Sequence, residues 1–302
     1  MSTRPVPTAY RSAATESTTD TRKEPVMSTA VTAVSTTQRV TRKSAWLAGA
    51  SNIFDKELRE WFRTRRFLIT VILAILVMIV IPTGVWLVNH DGLTAGRVAL
   101  TGAEAAEAQG SGPSTLLALS SYLTIVLTMG MLVKEREAGT VQWIFTKPVS
   151  RTGYGLAKWA ANSLGVVLAT VLVPGVTAAA LVSAMFDVPG WSWVDQGLAT
   201  GVVALHATFV VALMLALGTL FRSTVPVAVT ALGLSFAPLF LAPLVSSGML
   251  RMMPVFGLGD LVSDVATGRA GAGDFVPVVA GLVFLPLCLG FAGLRLTREE
   301  LQ

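Results

Sequence analysis

The sequence predicts an all-α membrane protein, six transmembrane helices preceded by an amphipathic helix lying in the interface. Three observations predict it. Mean hydropathy is +0.65 with 14% charged residues, whereas about a quarter of the residues of an ordinary soluble domain are charged. Six apolar runs approach or exceed the roughly 20 residues needed to cross a bilayer. Lys and Arg gather in alternate connections between those runs, as they do where the connections stay in the cytosol. With 302 residues in all, little length remains for a soluble catalytic domain.

Residues 1–44 are crowded with Ser and Thr, carry scattered charge and show no apolar period. Composition of that kind predicts a disordered cytoplasmic tail ahead of a transmembrane domain over 45–302. From 46 to 64 the pattern changes. Trp46, Leu47, Ala50, Ile53, Phe54, Leu58, Trp61 and Phe62 recur on one half of a helical wheel, and Asp55, Lys56, Arg59, Glu60 and Arg63 fall on the other. This is the pattern of an interfacial helix anchored by tryptophans with a basic edge. Glu57 breaks it, because it falls within the apolar arc. Two readings stand: its carboxylate reaches water near the headgroups, or it faces protein and pairs with a cation of the 134–158 segment, Arg136 or Arg151.

The spans are expected at about 67–89, 114–133, 156–186, 197–220, 225–247 and 275–294. Pro174-Gly175 predicts a break or kink in the third. Basic residues precede the first span (Lys56, Arg59, Arg63, Arg65, Arg66), separate the second from the third (Lys134, Arg136, Lys147, Arg151, Lys158) and follow the fourth and sixth (Arg222, Arg295, Arg298). The opposite loops hold only Arg97, Arg251 and Arg269. Both termini are therefore expected in the cytosol. Of the outer connections, 90–113 reads as a loop and 186–196 as a short turn with Trp191 and Trp193 as interfacial anchors. The 248–274 stretch reads as a loop with short helices, one of them N-capped by Asp260.

Several functions find no support in the residues. A nucleotide-binding P-loop requires Lys after Gly at fixed spacing, and none of Lys23, Lys43, Lys56, Lys134, Lys147 and Lys158 follows a glycine. Neither His90 nor His206 is followed by the Glu of a zinc-protease motif. The drawn spans contain no Asp or Glu, which weighs against an aspartyl mechanism and against a proton- or sodium-coupled carrier. Cys288 lies in an apolar run and reads as packing. The net charge of +5 is explained by its sidedness, so no nucleic acid is expected as partner. An intramembrane serine hydrolase built on Ser235 and His206 remains an alternative, as does a membrane scaffold without transport.

The densest charge beyond residue 70 is KEREAGTVQWIFTKPVSRTGYGLAK, Lys134 to Lys158. Gly139 permits a sharp change of direction, Pro148 suits a new helix start, and Ser150 suits its cap. Between them VQWIFT is a short apolar stretch with Trp143 and Phe145, flanked by cations. It is suited either to docking in a groove on a partner or to resting in the lipid interface. Here E-A-G-T (Glu137 to Thr140), P-V-S-R (Pro148 to Arg151), Tyr154 and Lys158 resemble the signature of permease subunits of ABC-2 type ABC transporters. The earlier F-x-K-E-L-R-E-W-x-R-x-R, Phe54 to Arg65, resembles that family's connecting helix.

The resemblance covers about residues 46–298 and implies an ABC-2 permease fold of the type V exporter kind. It implies an ATP-driven exporter assembled from two permease chains, identical or different, and two cytosolic ABC ATPase chains in a bacterial plasma membrane. This chain would then be no enzyme and bind no cofactor, with ATP and Mg held by the ATPase. The 134–155 segment would be the coupling segment, with Glu135, Glu137, Gly139, Thr140, Trp143, Ile144, Phe145, Pro148 and Arg151 as coupling residues. Trp46, Phe54, Glu57, Trp61 and Arg63 would mark the interfacial helix. Spans 2 and 5 would border the substrate path, with Ser120, Tyr122, Thr124, Thr128 and Phe240 as candidate lining for an amphipathic or lipid-like substrate.

Overall fold

A computed structural model describes residues 47, 49–89, 98–100, 102–147, 149–241 and 257–298. Among the described residues the regular structure is helical apart from a single two-residue strand pair. Helix α1, Ala50–Arg63, buries Ile53 and Glu57. At Thr64 the backbone is extended, and the chain turns by 59° into α2, Arg65–Asn89. The charges of α1 forbid it from continuing the apolar course of α2, so the bend falls where polarity changes. Leu68, Ile69, Ile72, Leu76 and Val80 of α2 are all more than half exposed, an outward face suited to lipid rather than to protein.

Strand β1, Val98–Ala99, precedes α3, Gly102–Thr128, which continues after a turn into α4, Val133–Glu137. Helical structure here begins at Gly102, so the expected loop over 90–113 is partly the first three turns of the second apolar helix. The polar run GAEAAEAQG conceals this from a hydropathy reading, yet it is rich in Ala and Glu, which favour helix. Helix α5, Thr140–Phe145, follows, and then α6, Arg151–Val166, with the Ser150 side chain accepting from the Gly153 N–H at 3.0 Å as predicted of a cap. Pro148 lies outside the described residues.

The third apolar helix does not break at Pro174-Gly175. It passes from α6 through a π-helical stretch, Val167–Leu172, into α7, Val173–Met185. Proline offers no N–H and its ring crowds the carbonyl four residues back. The wider turns just before it absorb that crowding, and the span continues. Strand β2, Phe186–Asp187, pairs in parallel with β1 in the register Val98 to Phe186.

Helix α8, Trp193–Leu220, starts four residues before the expected 197, with Ser192 capping through the Asp195 N–H at 3.2 Å. It is the central helix, with 72% of its most apolar window buried. Ala199, Val203, Ala207 and Val211 of α8 share a core with Leu116 of α3, with Val166 and Val171 of the third helix, and with Leu258, Leu261, Val262 and Val265. The last four belong to α10, Leu258–Ala266, after α9, Thr224–Leu241. Helix α10 is preceded by Gly257, and Asp260 stands in its first turn rather than capping it. Three apolar residues at helical spacing extend the helix back to Leu258, because they have a core to enter. A 3-10 turn, Ala272–Phe275, then leads to α11, Val276–Arg298, which is peripheral with 17% of its apolar window buried.

Four of these helices are long and apolar enough to cross a membrane, five when α1 and α2 are taken as one bent span. The end of the expected fifth span, 242–247, lies outside the described residues, as do Trp46 and His90.

Candidate functional site

The connection from the second to the third apolar helix gathers more buried charge than any other described part of the chain. It is built from four elements. Helix α4 carries VKERE, and at Gly139 the backbone turns with φ of 68°, in the left-handed region. That conformation costs a side-chain-bearing residue about 1–2 kcal/mol, which glycine avoids. The turn aims α5 back against α1 and α6. Ile144 and Phe145 pack on a core of Ile53, Leu132, Tyr154, Ala157 and Leu296, with Phe54 alongside. The Phe145 ring meets Tyr154 edge-on at 5.4 Å. The Arg151 guanidinium lies over Phe145, 4.7 Å from the ring centroid, and donates to the Leu296 carbonyl at 2.7 Å.

Trp143 points the other way. It is 61% exposed, with the Lys147 ammonium 3.8 Å from its ring. Beside it Glu137 and Gly139 are exposed and Thr140 is half-buried. Ile144 and Phe145 thus anchor α5, and Trp143 is presented outward.

Behind α5 lies a network of ionic groups. The Lys158 ammonium is 2.8 Å from a Glu57 oxygen and 3.1 Å from a Glu135 oxygen, and its side chain is 2% exposed. Lys56 reaches the same Glu135 at 3.3 Å. The Tyr154 hydroxyl donates to the other Glu135 oxygen. Asn162 donates to Glu57 at 3.4 Å and to the Lys158 carbonyl at 2.8 Å, and accepts from the Trp61 indole at 3.0 Å. Trp61 lies flat on Gly165, where a Cβ would come within 2.4 Å of the ring. Two carboxylates thus meet two ammonium groups, with further donors on the remaining lone pairs. This is the arrangement that offsets the desolvation of a buried pair.

Burial opposes ionisation of Glu135, but Lys158, the Tyr154 hydroxyl and Lys56 outweigh it and hold its carboxyl below the ordinary range. Burial likewise opposes charge on Lys56, and Glu135 and Glu57 more than restore it, holding the ammonium above its usual range. Both groups stay charged in this network. One residue further on, Arg136 donates to the Gly218 carbonyl at 2.8 Å. That cation at the C-terminal end of α8 complements its dipole and ties α4 to a second helix.

The structure distributes the sequence-derived residues unevenly. Glu57 is buried and paired, and its cation is Lys158 rather than Arg136 or Arg151. Glu135 and Arg151 face inward, so neither is a free contact surface. Phe54 and Trp61 are partly buried while Arg63 is exposed. Ser120, Thr124 and Thr128 are buried, and their hydroxyls donate to carbonyls three or four residues back on their own helix. Small residues satisfied in this way allow close helix packing, and among the described residues these three are buried rather than exposed to a path. Tyr122 is 38% exposed and stacks on Phe236 of α9 at 5.6 Å, while Phe240 is 69% exposed.

The Ser235–His206 pair is not assembled. Ser235 donates to Ala231 of its own helix, and His206 bonds Ser121 at 2.9 Å instead. Tyr154, Lys158, Asn162 and Lys56 join the site although sequence reasoning does not place them there, Tyr154 and Lys158 entering it only as motif residues. A signal exists: Tyr154, Lys158 and Asn162 recur every four residues, one polar stripe along α6.

A family model described as ABC-2 family transporter protein matches residues 51–263. Among the curated proteins none matches the chain significantly.

Proposed function

This chain belongs to the ABC-2 transporter family, and on that premise we propose that it is the permease of an ATP-driven exporter whose ATP is hydrolysed by a separate cytosolic chain. The family makes it a multi-pass membrane transport subunit. The assembly is two such chains, in the type V exporter arrangement with six spans each, bound to two ATPase chains in a bacterial plasma membrane. Both termini are cytosolic, and the cargo is amphipathic or lipid-like.

The observation that carries the proposal is the join behind α5. Glu135 is held at once by Lys56 of α1 and by Tyr154 and Lys158 of α6. A push on Trp143 of α5 therefore reaches α6 where Phe145 meets Tyr154, and α4 and α1 through Glu135 and the lysines it holds. The segment is rigid where force must pass and apolar where a partner would grip. Trp143, with Glu137 and Thr140 beside it, is the contact, and Glu57, Glu135 and Lys158 are the transmission.

The test is co-purification with a separately encoded P-loop ATPase. Trp143→Ala is expected to lower the recovered ATPase at least tenfold while leaving the permease's melting temperature unchanged. Undiminished capture by that variant, or cargo movement with no ATPase bound, overturns the proposal. No observation favours a hydrolase over this reading, because the two residues it needs are bonded elsewhere.

A further inference from the structure

Between α1, the end of α3 and α6 lies a cleft of about 270 Å³ that none of the roles above uses. One wall is apolar, made by Val126, Leu127 and Met131, and its floor is the network of Glu57, Glu135 and Lys158. At its rim stand two cations, Arg66 and Lys134. Among the described residues neither is joined to a carboxylate, whereas Glu57 and Glu135 each have a lysine; Glu60 is the third carboxylate of the lining.

Lys134 is seated against a glycine. Its stem lies on Gly130, so close that a Cβ there would meet its Cε at 2.6 Å and its Cδ at 2.8 Å. The side chain lies back over the preceding turn, as helical side chains do, while the residue stays exposed beside the cleft. The bare glycine is what gives the stem this room.

We infer that this cleft binds a glycerophospholipid of the cytosolic leaflet, its phosphodiester between Lys134 and Arg66 and the upper part of one acyl chain against Val126, Leu127 and Met131. The assignment to that leaflet rests on the orientation proposed above. The occupant is a resident lipid, distinct from the cargo. Charge complementarity selects it: a uniform apolar slot would accept any chain, and the lining as a whole, with Glu57, Glu60 and Glu135 against Arg66, Lys134 and Lys158, offers no net charge to an ion in solution. Only an amphiphile with an anion at the height of the rim satisfies both walls. Removal of one such cation is expected to weaken retention about fivefold, the scale of a single Lys or Arg at an anionic lipid surface.

The experiment is native mass spectrometry of the full chain purified in mild detergent with added phosphatidylglycerol. Wild type is expected to hold the lipid. Lys134→Ala and Arg66→Ala should each lower its occupancy about fivefold. Gly130→Ala, which keeps the charge but displaces the lysine arm, should do the same. Arg295→Glu, a surface charge elsewhere, should leave it intact. Unchanged occupancy in the rim variants, an equal loss in Arg295→Glu, or displacement of the lipid by inorganic phosphate alone each overturns the proposal. So does a cleft that takes up no lipid and is covered by a second copy of the chain. Because no ATPase is present, failure of the transport proposal leaves this result untouched. A wrong orientation would show separately, as labelling of Lys147→Cys in a Cys288→Ala background from the outer side with lipid still bound.

Discussion

Glu57 and Lys158 form the buried contact on which the candidate site is centred, and their energetics are lopsided. Removing one member leaves the other charge buried without compensation, at a cost of about 3–5 kcal/mol. Replacing both with neutral groups of similar size is far milder. Glu57→Gln and Lys158→Met are therefore each expected to lower the detergent-solubilised melting temperature markedly, and the double variant to recover most of the loss. Two single losses that simply add would show that the pair is not coupled. The spacing of apolar residues in α1 identified Glu57 as anomalous, because a carboxylate within an apolar arc must find either water or a cation. It did not identify the cation. Lys158 lies more than a hundred positions away, and only the packing of α1 on α6 decides which of several basic residues comes within reach.

Helices α4 and α5 behave as a bracket whose angle is set at Gly139. Gly139→Val would force a β-branched residue into the left-handed region, at about 1–2 kcal/mol. With nothing within 4 Å of a Cβ at that position, the strain is local. The expected outcome is a chain of nearly unchanged melting temperature that captures markedly less ATPase, since α5 is aimed wrongly. Capture equal to wild type would place the specificity outside α5. At this scale the sequence was readable wherever polarity or a cap marks a boundary, as at Ser150 and at the bend before α2. It was less readable where helix continues through polar residues, as in the first turns of α3, or where a proline is absorbed by a local change of helical pitch, as before Pro174. The Ser and Thr residues of α3 show why lining cannot be inferred from polarity alone. The hydroxyls of Ser120, Thr124 and Thr128 are bonded to their own helix, so polarity in the sequence becomes compactness in the fold.

For the molecule as a whole, sidedness is the property most open to measurement. The chain contains a single cysteine, Cys288, so Cys288→Ala provides a blank background. A cysteine introduced at Lys147 is expected to react with an impermeant thiol reagent only from the cytosolic side, and one at Gly190 only from the outside. Labelling of both from the same face would overturn the orientation. The same background allows motion to be followed. The ribbon of Val98–Ala99 with Phe186–Asp187 fastens the start of α3 to the end of α7. At the far end Glu135 fastens α4 to Tyr154 and Lys158 of α6. The second and third apolar helices are thus stapled together at both extremities, like two planks nailed top and bottom. Such a pair cannot scissor open. Whatever stroke the partner delivers, these two helices must swing as a single door, and the seam that parts has to lie along another edge of the protein.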